Sequence, residues 1–215
     1  MKHLSAATES GPADRFVQRP LHNGYHAVGP GKLAAVQTFL EMRARPELRP
    51  CKADPSWRIE RFEPADLTRF YALFHRVGDE ELWTLRLQMS EEEVERLLSE
   101  PRFELYVLVT SDGDEGMLEL DFRVAGECEL SLFGVAPRLV GTGAGRYLIN
   151  RGIEIAWSHE IERFWLHTCT LDHPNALAFY RRSGFVPYER AIEIFDDPRA
   201  LGLTRADAAP QVPIL

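Results

Sequence analysis

Residues 138–145 read Arg138-Leu-Val-Gly141-Thr-Gly143-Ala-Gly145, a run whose backbone amides could close around an anion. Glycine at three alternate positions lets the chain approach a phosphate, although a tight turn alone could also require it. Two other phosphate-binding patterns fail on spacing. A GxGxxG dinucleotide loop needs glycine at 146, where the chain has Arg146, and a P-loop needs GK[ST], which is absent. Proton-transfer groups lie on both sides of this run. Glu119 and Asp121 fall on one face of an alternating segment, Glu129 lies in the next, and Tyr180 is a phenol able to donate a proton. His167, Cys169 and His173 could be read as metal ligands, but no fourth ligand is visible, and strand packing with a helix cap accounts for them more simply.

The elements that must position these groups are legible in the pattern. Residues 57–62 form a short strand, and Leu67, Phe70, Tyr71 and Phe74 repeat at the spacing of one helix face. Ser90-Glu-Glu-Glu93 has the form of a capping box and opens a helix over about 90–99. Phe103, Leu105, Val107 and Val109 alternate, Asp112-Gly113 offers a turn, and Leu118, Leu120, Phe122 and Val124 alternate again. After a second turn at Gly126, residues 127–135 complete a three-strand meander. Ala144, Leu148, Gly152 and Ile155 then follow a helical period, and residues 164–170 are rich in strand formers. Pro174 suits a first helical turn and Gly184 a left-handed stop, so a helix spans about 174–183. Residues 185–195 read as one or two strands, interrupted by Pro187. Residues 32–41 fit strand and short helix about equally and are taken as strand. Residues 46–55 carry three prolines and read as a linker. The order β-α-α-β-β-β-α-β-α-β predicts an α/β fold, a mixed sheet covered by helices.

Composition narrows the function classes. At 215 residues the chain suits one catalytic domain, and its 45% apolar and 27% charged content is that of a globular protein. Acidic residues outnumber Lys and Arg 33 to 25, which argues against nucleic-acid binding and would suit a cationic substrate. There is no apolar run long enough for a membrane helix and no signal-peptide pattern at the start, so a cytoplasmic protein with no membrane partner is expected. Cys51, Cys128 and Cys169 are an odd number at wide spacing, read as reduced structural thiols.

Arg138-x-x-Gly141-x-Gly143, following Val135-Ala-Pro137, resembles the [Q/R]xxGx[G/A] signature of the GNAT acetyltransferase superfamily. Asn175-Ala-Leu-Ala-Phe-Tyr180-Arg-Arg-Ser-Gly184-Phe185 is similar to its second landmark, and the resemblance covers about residues 57–195. The run from His167 to Pro174 looks like an uncharacterised bacterial branch of that superfamily. The resemblance implies the GNAT acyl-CoA N-acyltransferase fold, a central mostly antiparallel sheet splayed at the acyl-CoA site and flanked by helices. It divides the chain into a flexible tail (1–23), an extension packed on the domain (24–56), the acetyltransferase domain (57–197) and a C-terminal tail (198–215).

The resemblance also implies acetyl-CoA as co-substrate, with no metal. Val140, Gly141, Thr142, Gly143, Ala144 and Gly145, flanked by Arg138 and Arg146, would hold the pyrophosphate. Phe133, Gly134 and Val135 would pair with pantetheine, and Asn175 and Tyr180 would complete the cofactor site. Val140 departs from the family pattern, since many members have arginine there. Tyr180 would act as the acid and Glu119, then Glu129, as the base for direct attack by an amine, small-molecule or peptide. Direct transfer needs no Cys169 nucleophile. A non-catalytic acyl-CoA sensor is the alternative, and a nucleotide binder of another fold a more distant one. The acceptor side would be built from residues 64–99 and the N-terminal segment. Edge strands and sizeable flanking segments are compatible with a homodimer without specifying one.

Overall fold

The structure, a computed structural model, describes residues 21–215. Its elements are β1 (Lys32–Met42), β2 (Arg58–Arg61), α1 (Leu67–Gly78), α2 (Glu91–Leu98), β3 (Phe103–Thr110), β4 (Gly113–Asp121), β5 (Glu127–Val135), α3 (Ala144–Ala156), β6 (Arg163–Cys169), α4 (Ala176–Arg182) and β7 (Val186–Asp196), with 3₁₀ turns at Asp79–Glu81 and Pro137–Leu139. Seven strands make one mixed sheet in the order β2-β3-β4-β5-β6-β1-β7, antiparallel throughout except for the parallel pair β5–β6. The flexible tail expected for residues 1–23 lies, apart from its last three residues, outside the described residues.

Local chemistry sets the helices on the two faces. Asp66 caps α1 by accepting from the Arg69 amide at 3.0 Å. The α2 capping box closes as expected from its sequence: Ser90 Oγ accepts from the Glu93 amide at 3.2 Å and the Glu93 carboxylate from the Ser90 amide at 2.8 Å. The apolar stripe Phe70, Leu73, Phe74 and Val77 buries against Val94, Leu97, Leu105, Val107 and Met117. On the other face, Leu148, Ile149 and Ile153 of α3 and Tyr180 of α4 bury against Leu118, Leu120, Phe164 and Leu166. Each such side chain, fully withdrawn from water, contributes about 1.5–3 kcal/mol.

Two segments differ from expectation. Residues 24–56, expected to pack on the domain as an extension, contain β1, which lies inside the sheet between β6 and β7. Its register runs from Lys32 opposite Asp196 to Glu41 opposite Val186, and Leu33, Ala35, Phe39 and Leu40 are buried. β7 is one strand: a register shift where Leu40 meets Pro187 absorbs the proline, which an edge strand tolerates. Residues 198–215, expected as a tail, fold back beside β1. Buried Arg199 pairs with Asp197 at 2.7 Å and donates to the carbonyls of Ala208, Ala209 and Val212. Ala208 and Ala209 bury with Leu33 and Leu82, and Arg205 pairs with Glu80. The C-terminal segment thereby fixes the 3₁₀ turn after α1. Among the described residues, no helix is long and apolar enough to cross a membrane.

Candidate active site

β5 and β6 pair only at Glu127–Arg163, Cys128–Phe164 and Glu129–Trp165, after which they separate. β5 continues to Val135 bonded only to β4, so Phe133, Gly134 and Val135 present an open edge toward the gap. The gap leads to the glycine run. Gly141 (φ +82°) and Gly143 (φ +100°) occupy the left-handed region, Gly143 caps α3, and no atom lies within 4 Å of the position a Gly141 Cβ would take. The amides of Gly145 and Arg146 belong to the first helical turn, where no intrahelical carbonyl is available, and the positive end of α3 points the same way. An open strand edge leading to an anion cradle fits an acyl-CoA.

Several expected cofactor residues are engaged elsewhere. Arg138 forms ion pairs with Glu115 and, at 2.5 Å, with Asp112, so its charge is spent within the protein. It borders a cavity of about 400 Å³ formed with Lys52, Trp57, Thr110 and Thr142. Thr142 Oγ1 donates to the Leu139 carbonyl at 2.7 Å, which shapes the loop from within. Val140 is exposed and extended, Ala144 is buried, and Asn175 caps α4 with its backbone alone. Arg146 turns from the loop and lies over the Phe179 ring at 4.8 Å.

Tyr180 is buried and packs from α4 against β5, its ring 6.0 Å from Phe133 and 5.5 Å from Phe179. Burial, then the negative charge of Asp172, raises its phenol far above the ordinary value, so it stays protonated, as a donor must. Glu119 requires a correction. Its side chain is fully buried and both carboxylate oxygens are held by Arg86, at 2.6 and 3.4 Å. A base must meet its substrate, and this carboxylate meets only its partner. Glu129 sits where β5 and β6 are still joined, opposite Asp121 and Trp165 and about 13 Å from Phe133 at ~3.3 Å per residue. Neither carboxylate stands beside Tyr180.

Sequence reasoning missed two residues near these elements. Trp83 lies against β5: a Cβ on Gly134 would come within 3.1 Å of its ring, and one on Gly78 within 2.5 Å. A side chain at 78 would collide with the indole, and one at 134 would collide with Val77 at 2.5 Å and crowd the indole. Glu81 ends the 3₁₀ turn and precedes Leu82, which is buried in a cluster that Leu171 packs against; the carboxylate of Asp172, the next residue, accepts from Thr168 Oγ1 at 2.5 Å and the Cys169 amide at 2.8 Å. Burial, with the charges of Asp172 and Glu80 added, raises the Glu81 carboxyl to about 7. Asp79 and Glu80 are paired with His75 and Arg205, whereas Glu81 makes no ion pair among the described residues. The Glu-rich stretch 79–81 carried no periodic signal, so only the fold distinguishes Glu81 from its neighbours.

His167 Nδ1 lies 3.0 Å from Gln37 Oε1, and Cys169 Sγ accepts from the Leu171 amide. Burial, then Asp172, pushes the Cys169 thiol up to about 12, which disfavours a thiolate. Among the described residues, no group of three or more His, Cys, Asp and Glu side chains could hold a metal ion.

A mixed sheet opened beside a glycine-capped helix is the arrangement expected from the resemblance of the sequence to acyl-CoA-dependent acyltransferases. The acetyltransferase (GNAT) family profile matches residues 79–185, and the chain belongs to that family. Solved structures agree on the fold. A GCN5-related N-acetyltransferase from Sphaerobacter thermophilus superposes with a TM-score of 0.55 at 16% identity over 80% of this chain and 53% of that one. An aminoglycoside acetyltransferase from an uncultured soil metagenomic sample gives 0.51 at 20% over 66% and 96%. A functionally unknown conserved protein from Staphylococcus epidermidis gives 0.50 at 12% over 78% and 63%. The chain therefore spans about half of the first protein and less than two thirds of the third. Comparison with curated proteins gives no match.

Proposed function

We propose that the chain transfers an acetyl group from acetyl-CoA to a primary amine by direct attack in a ternary complex. The observation that carries this reading is the open edge of β5 running into the cradle at Gly141–Gly145. Acetyl-CoA supplies an activated acyl thioester. The chain supplies position and proton transfer: β5 orients the pantetheine, the amide near Phe133 can stabilise developing negative charge, and the cradle holds the pyrophosphate. Glu81 takes the ammonium proton and Tyr180 gives a proton to the departing sulfur. The acidic wall of Glu81 and Asp172 favours a cationic acceptor. An aminoglycoside, the acceptor class of one structural neighbour, is among the amines to screen, beside polyamines and peptide amines. Free Cys51, Cys128 and Cys169 suit a reducing compartment such as the cytoplasm. The test is the melting temperature with acetyl-CoA, CoA, NAD and ATP. A rise confined to the first two is expected; a rise with NAD or ATP alone would overturn the reading.

Two substitutions separate the proton-transfer roles. Tyr180→Phe should lower kcat on the order of 10²-fold with acetyl-CoA affinity nearly unchanged, and full turnover would remove the acid role. For Glu81, the raised pKa means the carboxylate form dominates only above about pH 7, so kcat/KM should rise with pH through that value. Glu81→Gln should remove that limb and reduce the plateau by about 10²–10⁴-fold. The same shift has a stability signature. A carboxyl whose folded pKa exceeds its unfolded one stabilises the fold at low pH and loses that contribution as pH rises through the folded value. Glu81→Gln should therefore lose less melting temperature between pH 5 and pH 8 than the parent. An unchanged pH profile in both measurements would exclude Glu81.

A further inference from the structure

The sheet ends at two unequal edges. β2 is four residues long and carries Arg58, Glu60 and Arg61, a short charged edge that discourages pairing. β7 is eleven residues long, and among the described residues it pairs with β1 alone. On one of its faces Ile192 and Ile194 are 50% and 55% exposed, opposite half-buried Val36 and exposed Ala34 of β1. An apolar strip along a long open edge is a template for a further strand. Pro187 and the register shift beside it interrupt regular pairing at one end, which leaves residues 188–196 as the stretch able to add that strand.

We propose that this stretch pairs antiparallel with the same stretch of a second copy, about a two-fold axis at Ile192, and joins two seven-strand sheets into one. Residues 188–196 are centred on Ile192, and their charges admit that register. With the axis there, Ile192 meets its own copy, Arg190 meets Ile194 and Glu193 meets Ala191. Moving the axis to residue 191 sets Glu189 against Glu193, moving it to 190 sets Arg190 against itself, and moving it to 193 does the same for Glu193. Like charges directly opposite one another destabilise a strand pair. Glu193 accepts from Gln37 Nε2 at 2.6 Å, which holds its carboxylate to its own sheet. Arg190 forms no ion pair among the described residues, and in this register it lies one diagonal step from Asp196 of the second copy, within reach of a long side chain. The pairing is independent of the acyl-CoA reading, because β6 and β1 separate β7 from the open edge of β5.

Analytical ultracentrifugation of the full chain at micromolar concentrations should give twice the mass of the 24.5 kDa chain. Ile192→Lys opposes two ammonium groups at the axis and should weaken the dimer by at least about 30-fold, the effect of losing a central anchor. Val124→Lys, at an exposed apolar position between β4 and β5, should leave the dimer intact. Disulfide trapping reads the register. Ile192→Cys should link two chains under mild oxidation, above the background of the parent's own cysteines, whereas Ile194→Cys should not, because about 13 Å of strand separates it from its copy. A monomeric parent overturns the proposal and leaves the edge to a different occupant. A dimer untouched by Ile192→Lys, or linked at 194 as readily as at 192, overturns it as well. If Ile192→Lys fails to fold, the two cysteine variants decide alone.

Discussion

Gly143→Glu is expected to abolish acetyl-CoA binding, lowering affinity by more than about 100-fold, while the protein still folds. Gly143 has φ +100°, where a side chain costs on the order of 1–2 kcal/mol, and the nearest obstacle to its Cβ is the Lys52 carbonyl at 3.8 Å. The glutamate therefore has room, and the positive end of α3 attracts its carboxylate into the place where a phosphate would lie. Gly143→Ala carries the same backbone strain without the charge and serves as the control, with an expected loss of no more than about tenfold. Calorimetric titration of both variants decides the matter. If the glutamate variant binds acetyl-CoA as the parent does, the cradle is assigned to the wrong ligand or the wrong loop.

The largest expected effect on stability is that of Arg86→Ala. Glu119 has no exposed surface, and Arg86 is the cation that holds it. Removing one member of a buried pair leaves the other charged without water or partner, which costs about 3–5 kcal/mol. Urea denaturation should show that loss, and Arg86→Met combined with Glu119→Leu should recover most of it, because apolar side chains of similar size remove both charges together. The same pair separates structure from catalysis. Glu119→Gln should destabilise the fold without introducing a new limb in the pH profile; a large fall in kcat at unchanged stability would return Glu119 to the role of base.

Where sequence chemistry is local, the fold was readable. Ser90 and Glu93 close the expected capping box, Gly184 follows α4 at φ +105°, and the β3–β4–β5 meander follows the alternation of its apolar residues. The cradle was equally accessible, because glycine spacing and the start of a helix lie within one short run. What remained hidden depends on contacts between distant segments. Alternation placed Glu119 and Asp121 on one face, but not which face would be covered, and Arg86 lies in a stretch without periodicity. Glu81 differs from Glu80 through tertiary contacts: Glu80 pairs with Arg205 of the C-terminal segment, and Leu82 beside Glu81 is buried with that segment. Arg138 opens the signature and Arg146 follows it, yet Arg146 stacks on Phe179 and Arg138 is neutralised by Glu115 and Asp112, choices made by neighbours from other elements.

The position of β1 constrains how the chain reaches its native state. Its two sheet neighbours are β6 and β7, and among the described residues no strand made before β6 pairs with it. During synthesis, β1 leaves the ribosome before the other described strands and stays without its partners until β6 and β7 have emerged. Closing so long a loop is entropically costly, which predicts slow folding dominated by non-local contacts. The meander, by contrast, is complete once β5 is made. Early folding should therefore build the β2–β5 half under α1 and α2, while docking of β1 between β6 and β7 comes late and opens the route by which an incomplete chain aggregates.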